Sequence, residues 1–323
     1  MKKNSNLHAA KNAKNDEFYT RIEDIEKEIK HYKDQFKGKS VYLNCDAGWS
    51  KFFVFFKAKF AEYGLTKVVA THYTEDGTSV KRVITKGTGH NGNVMMEDIE
   101  EYPLTGKGDF RSEECIQLLK ECDIVVTNPP FSLFREFVDT LMTHEKKFII
   151  LGNNNAVTYK EVFQHIKNEM LWLGVHANVT MEFQLAPHYL KWNRVDDKGN
   201  KFGSVPAISW FTNMQHKKRN EELFLVERYN PEKFPKYDNY DAINVDKVVM
   251  IPEDYFGAIG VPITFLTKYN PDQFEILNAN DYIISEKVNP KPHGLIKDKD
   301  GTIGGGKPKY ARIVIKRKQG DIK

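Results

Sequence analysis

The first apolar stripe in the chain is helical. Ile22, Ile25, Ile29, Tyr32 and Phe36 recur at spacings of three and four, which predicts one helix over 20–36. Thr20 with Glu23 three residues on reads as its capping box, and Gly38 ends it. Short apolar runs then alternate with helical patterns. Strands are expected at 41–43, 67–73, 123–127 and 147–151, and helices at 50–63, 113–121 and from Leu133 onward. Thr158 to Glu161 reads as a capping box opening a further helix. Strand alternating with helix predicts βαβ units and a mostly parallel sheet. Ligand sites of such sheets lie on loops at the carboxyl ends of the strands. The polar clusters 44–50, 71–77 and 127–132 fall there.

Beyond about residue 180 the rhythm changes. Residues 193–205 are polar and turn-rich, 206–212 reads as a strand, and 229–262 holds four prolines. The expected division is a basic arm over 1–19, a catalytic domain over 20–180, and a smaller, loop-rich recognition region over 181–323. At 323 residues the chain has room for both domains.

Composition narrows the class. No apolar run approaches the 18 residues of a membrane span, and the phenylalanine-rich stretch 52–60 is broken by Lys57 and Lys59. Those phenylalanines, at helical spacing, read as core. Three scattered cysteines suit neither a disulfide scaffold nor a zinc site, which favours a cytoplasmic setting. His72 and His176 lack partners at metal-ligand spacing, and Asp196–Asn200 reads as a turn, so no metal is expected. Charge is uneven. Residues 1–15 carry four lysines and no acid, and 287–323 carry eleven basic against three acidic residues, yet the whole chain is only +4. Both ends are basic and the body is acidic. Basic ends are either solvated tails or phosphate contacts. The residues that would make the contacts are Lys217, Lys218, Arg219, Lys307, Lys309, Arg312, Lys316, Arg317 and Lys318.

One motif carries chemistry. Asn128-Pro129-Pro130-Phe131 directly follows the strand 123–127. Two prolines fix φ and hold the preceding residues extended, which makes a rigid loop at a strand end. The Asn128 amide oxygen and the Pro129 carbonyl could accept both hydrogens of a planar NH2, with Phe131 stacked on the base that bears it. An aromatic amine is a poor nucleophile. Two acceptors on its hydrogens favour a pyramidal nitrogen and disperse the charge that develops as it attacks.

Here the chain resembles the EcoRI-type adenine-specific DNA methyltransferases. The likeness includes Asp16 to Thr20, the strand Val41 to Asp46, Gly108 to Ser112, Ile124 to Phe134, Tyr237 to Val245 and Gly260 to Leu266. The resemblance implies a Rossmann-like class I α/β fold with helices on both sheet faces. It also implies S-adenosylmethionine as cofactor and double-stranded DNA as substrate, with the target adenine flipped out. Asn128, Pro129, Pro130 and Phe131 would hold that adenine. Phe18, Tyr19 and Thr20 would line the cofactor's methionine end, and Asn44, Cys45, Asp46 and Ala47 would pass beneath it. Asp109 would accept from the cofactor's adenine amine, Phe110 would pack on that ring, and Glu75 would take the ribose. The glycine-rich turn after the first strand is thin, with only Gly48, and Thr71-His72-Tyr73 stand where an acid usually ends the second. A monomeric enzyme with a restriction endonuclease as companion, and no membrane partner, completes the expectation. The alternatives are methyl transfer to an RNA adenine or a protein glutamine amide, and an inactive DNA-binding homologue.

Overall fold

The computed structural model describes residues 18–86, 98–185, 192–237, 241–277 and 312–319. Its strands, in chain order, are β1 (Phe18–Thr20), β2 (Ser40–Leu43), β3 (Lys67–Ala70), β4 (Val80–Thr85), β5 (Glu100–Pro103), β6 (Ile124–Thr127), β7 (Lys147–Asn153), β8 (Trp172–Leu173), β9 (Val179–Leu185), β10 (Arg194–Val195), β11 (Lys201–Thr212), β12 (Ile243–Asn244), β13 (Ile259–Pro262), β14 (Phe274–Ile276) and β15 (Arg312–Arg317). The helices are α1 (Ile22–Ile29), α2 (Lys51–Ala58), α3 (Glu113–Glu121), α4 (Phe134–Thr143) and α5 (Lys160–Lys167). The chain divides into two compact units. One takes residues up to Ala156 together with Leu173–His216; the other takes Val157–Trp172 with the residues from Lys217 on. The boundary expected at 180 falls inside β9, a strand of the large sheet, so the first unit reaches further than the loss of helical rhythm suggested.

The large sheet runs β1-β9-β11-β7-β6-β2-β3-β4-β5. Its centre, β3-β2-β6-β7, is parallel, as βαβ crossovers require. Both flanks are antiparallel, which corrects the expectation of a mostly parallel sheet. The central strands are buried throughout because helices cover both faces. Val41, Leu43, Val68, Ala70, Ile124 and Val126 join one core with Ile25 and Ile29 of α1 and Phe52, Phe53, Phe55 and Phe56 of α2. On the opposite face, the α4 ring of Phe134 lies 4.9 Å from Phe211 of β11, and Phe110 lies 5.0 Å edge-on to Phe137. Each phenylalanine buried here contributes about 1.5–3 kcal/mol.

Two local expectations change. The stripe over 20–36 is α1 followed by a 3-10 segment, Lys30–Phe36, and Thr20 is not its cap. Thr20 instead ends β1, paired with Phe183, and Arg21 takes the cap position without a side-chain bond. Likewise Thr158 lies in a 3-10 turn, and α5 starts after Tyr159 without a capping bond. Ser50 and Ser112 do cap, accepting from Phe53 N and Cys115 N. β11 begins at Lys201 rather than Pro206. A bulge between Val205 and Ile208 absorbs the proline, which has no N–H for the ladder, and leaves Ala207 at φ +57°. Asp196 closes the turn between β10 and β11 by accepting from Lys198 N and Asn200 N.

In the second unit β12-β13-β15-β14 form a small sheet. The Tyr237 phenol donates to Asn244 Oδ1 at 2.8 Å and lies over Gly260, where any Cβ would collide with its ring. Two of the segments that carry the family likeness thus pack as one core.

Candidate active site

β2, β3 and β6 are parallel, so their carboxyl ends share one edge of the sheet. The loops that leave them line one cavity of about 360 Å3, together with β1 and residues 108–111. The loop after β2 is anchored by a continuation of the β2/β3 ladder. Thr71 N donates to Leu43 O and Asp46 N donates to Thr71 O. This turns Asn44, Cys45, Asp46 and Ala47 into the cavity. Gly108 has φ +75°, and a Cβ there would collide with the His72 carbonyl. That close approach brings Asp109 and Phe110 to the same cavity.

Asn128 stands just beyond β6. Its Nδ2 donates to Thr20 Oγ1 at 3.2 Å, which assigns the other corner of the amide, Oδ1, as the acceptor. The threonine that does not cap α1 therefore orients the motif asparagine. Asn128 and Pro130 line the cavity, whereas Pro129 and Phe131 do not. Phe131 is half-buried and packs against the core. The Pro130 carbonyl accepts from Leu133 N at 2.9 Å, so it is tied into a local turn.

The electrostatics are uneven. Asp46 is buried, and burial pushes its carboxyl up to about 7 although Thr127 Oγ1 donates to it at 2.6 Å. Burial, with Asp46 adjacent, also pushes the Cys45 thiol well up, so thiolate chemistry is not offered. Asp109 is gripped by Arg111, with Nε on Oδ1 at 2.9 Å and Nη2 on Oδ2 at 2.7 Å; that pair holds its carboxyl below the usual range. A raised Asp46 carboxyl costs stability once ionised. Its contribution is fully present below the unfolded value near 4 and is lost as pH rises toward about 7. Asp46→Asn is therefore expected to gain about 3 kcal/mol on the wild type between pH 5 and pH 8, read by denaturant unfolding across that range; parallel curves would show an unshifted carboxyl.

Besides Pro129 and Phe131, which stand off the cavity lining, the sequence-derived site residues fall into three groups. Tyr19, Thr20, Asn44, Cys45, Asp46, Ala47, Asp109, Phe110, Asn128 and Pro130 converge on the cavity. For Phe18 only its strand position is described. Glu75 is exposed on the loop after β3 and does not line the cavity, whereas His72 and Tyr73 do. Sequence reasoning missed Trp49, which lines the cavity and is 60% exposed. An aromatic next to Gly48, just before a helix cap, was the available signal.

The basic residues divide as well. Arg219 stacks 3.8 Å over Trp172 and pairs with Glu169 at 3.1 Å, and Arg312 is buried and paired with Asp246. Both guanidiniums are engaged within the second unit. Arg317 lies over the Phe256 ring. Lys217, Lys316 and Lys318 are exposed, Lys218 is half-buried, and Lys307 and Lys309 lie outside the described residues.

The cavity suits an elongated, polar cofactor with an apolar part. Asn44 is 2% exposed, and its Oδ1 is buried with no hydrogen-bond partner, so a ligand N–H or O–H directed at it would satisfy an orphaned acceptor. Asp109 and Arg111 line the same space beside Phe110 and Trp49, which adds charged and aromatic walls.

Comparison with known proteins agrees with this geometry. Residues 6–318 match the family described as adenine-specific methyltransferase EcoRI. The chain is 44% identical to the Type II methyltransferase M.EcoRI of Escherichia coli, over 98% of this chain and 97% of that protein. It is 43% identical to the Type II methyltransferase M.MpnI of Mycoplasma pneumoniae, over 98% and 99% respectively. A third relative, M.MgeORF184P of Mycoplasma genitalium, is 38% identical over 97% and 99%. No solved structure matches the chain.

Proposed function

The chain belongs to the EcoRI family of adenine-specific methyltransferases, and from that premise we propose how its cavity works and what it holds. The protein is a site-specific adenine DNA methyltransferase. The cofactor proposed for the cavity is S-adenosylmethionine; when bound, it supplies a methyl group on a sulfonium. Asn44, Asp46 and Ala47 would lie along it, Asn44 Oδ1 would accept a bond from it, and Asp109 with Phe110 would hold its nucleoside end.

The residues of the chain do the rest. Asn128 Oδ1, aimed by the bond from its own Nδ2 to Thr20, accepts one hydrogen of the target N6 amine. The Pro129 carbonyl accepts the other, since that of Pro130 is taken by Leu133. The half-exposed Phe131 offers a ring for stacking. No carboxylate base is required, because the amine becomes strongly acidic as its fourth bond forms and can lose its proton to water. The duplex opens to release the adenine, and the exposed Lys217, Lys316 and Lys318 of the second unit take phosphates. The reading includes a monomeric enzyme with a restriction endonuclease as companion, in keeping with the Type II names of the relatives. No helix among the described residues is long and apolar enough to cross a membrane.

The observation that carries this reading is the Asn128–Thr20 bond at the mouth of a cavity shaped by three parallel strand ends. Incubation with methyl-tritiated cofactor and plasmid DNA, RNA or bulk protein tests it. Label is expected only in DNA, recovered as N6-methyl-2′-deoxyadenosine. Label in cytosine, RNA or protein would overturn the assignment.

A further inference from the structure

Trp49 is an unusual exposure. Its indole is 60% solvent-accessible on the described surface, although an apolar ring of this size normally covers itself. Nor is it on a loose loop. Ser50, the next residue, caps α2 through Phe53 N, and Ser50 N donates to Ala47 O. Its ring meets Tyr19 edge-on, with centroids 4.9 Å apart and planes at 87°. Tyr19 is itself fixed in β1, paired with Gln184. A perpendicular contact engages at most one face of either ring, so an aromatic surface is held ready at the cavity wall.

The position of that surface matters. Tyr19 precedes Thr20, and Thr20 Oγ1 is 3.2 Å from the Asn128 amide. The aromatic pair lines the same cavity as Thr20 and Asn128, the residues beside which the transferable methyl would sit next to the target amine. Ring faces carry negative potential and attract cations. The group at that place is a sulfonium cation before transfer and a neutral thioether after it.

We propose that Trp49, braced by Tyr19, is a positioning residue whose ring face favours the cationic, methyl-bearing cofactor over its neutral demethylated product. The inference rests on the cofactor reading above. Selection of this kind holds the reactant while letting the spent product leave. Asp46 and Lys51 also face the cavity, and any general charge preference they impose is untouched when the ring alone is changed.

Isothermal titration of the full chain with S-adenosylmethionine and with S-adenosylhomocysteine separates these effects. In Trp49→Leu the sulfonium ligand is expected to bind about five- to tenfold more weakly and the thioether less than about twofold. Trp49→Phe, which keeps a smaller ring face, should restore part of the ratio. Equal weakening of both ligands, or none, would overturn the proposal and reduce Trp49 to a plain apolar contact or a bystander. Failure of the wild type to bind either ligand would overturn the cofactor reading with it. Because the side chain is mostly exposed, the variants are expected to fold, and superimposable thermal unfolding curves check this.

Discussion

Asn128→Ala is expected to lower the rate of methyl transfer to DNA by about 10²–10³-fold, the cost typical of removing one preorganised polar group from a reacting centre. The amide does two things that alanine cannot. Nδ2 donates to Thr20 Oγ1, and that bond settles which corner of the group presents an oxygen. In the proposed reaction Oδ1 would then accept from the amine whose lone pair must leave conjugation as the new bond forms. The loss should appear in kcat, because the bond strengthens as positive charge grows on nitrogen. Single-turnover transfer of tritiated methyl, wild type against variant, reads it directly. An unfolding midpoint within about 2 °C of wild type excludes collapse, as expected for a half-buried loop residue outside the packed core. Equal rates would remove Asn128 from the chemistry.

The candidate site was legible in the sequence where one signal served one purpose. Asn128-Pro129-Pro130 announces a stiff loop by proline chemistry alone, and parallel strand ends place loops 44–47 and 128–130 on a common edge. The starts of the helices expected at 50 and 113 were equally legible, since Ser50 and Ser112 stand there and accept from the backbone N–H groups of Phe53 and Cys115. Thr20 was not. Its pattern fits a capping box, but pairing with Phe183 and the bond from Asn128, 108 residues away, claim it instead. Tertiary contacts outweigh a local preference worth about 1 kcal/mol. β5 was invisible for another reason. Glu100 to Pro103 is exposed throughout, and a charged edge strand has no apolar alternation to detect. β9 did show it: Met181, Phe183 and Leu185 are buried and alternate with polar residues. That signal was masked by the expectation that the catalytic sheet ended near 180. Arg219 and Arg312 show the limit of charge patterning, since a basic cluster cannot reveal which members already hold an acid of their own.

The second large effect concerns stability. Glu28→Ala is expected to cost about 3–5 kcal/mol, the range for removing one partner from a fully buried charged network. Glu28 lies in the last full turn of α1 with no solvent exposure. Its carboxylate accepts from Tyr32 Oη at 2.7 Å, Val175 N at 2.8 Å and His176 N at 2.9 Å, and its Oε2 lies 2.7 Å from His176 Nδ1. These bonds tie the helix that covers the large sheet to the segment joining β8 and β9. Alanine leaves two backbone N–H groups and a phenol buried without that acceptor. Burial alone would raise the Glu28 carboxyl, but the donors around it outweigh burial and hold it below the usual carboxylate value. The sign follows. A depressed carboxyl stabilises the fold above its unfolded value near 4.5, and that contribution is lost as pH falls through the lower folded value. The wild-type advantage over Glu28→Ala should therefore be full at pH 7 and shrink in acid. Glu28→Gln, which keeps an acceptor but loses the charge, should fall between the two. Thermal unfolding at pH 7 is expected to show the alanine variant about 10 °C lower. A difference under about 2 °C would mean that the network is not what fastens α1 to the segment entering β9.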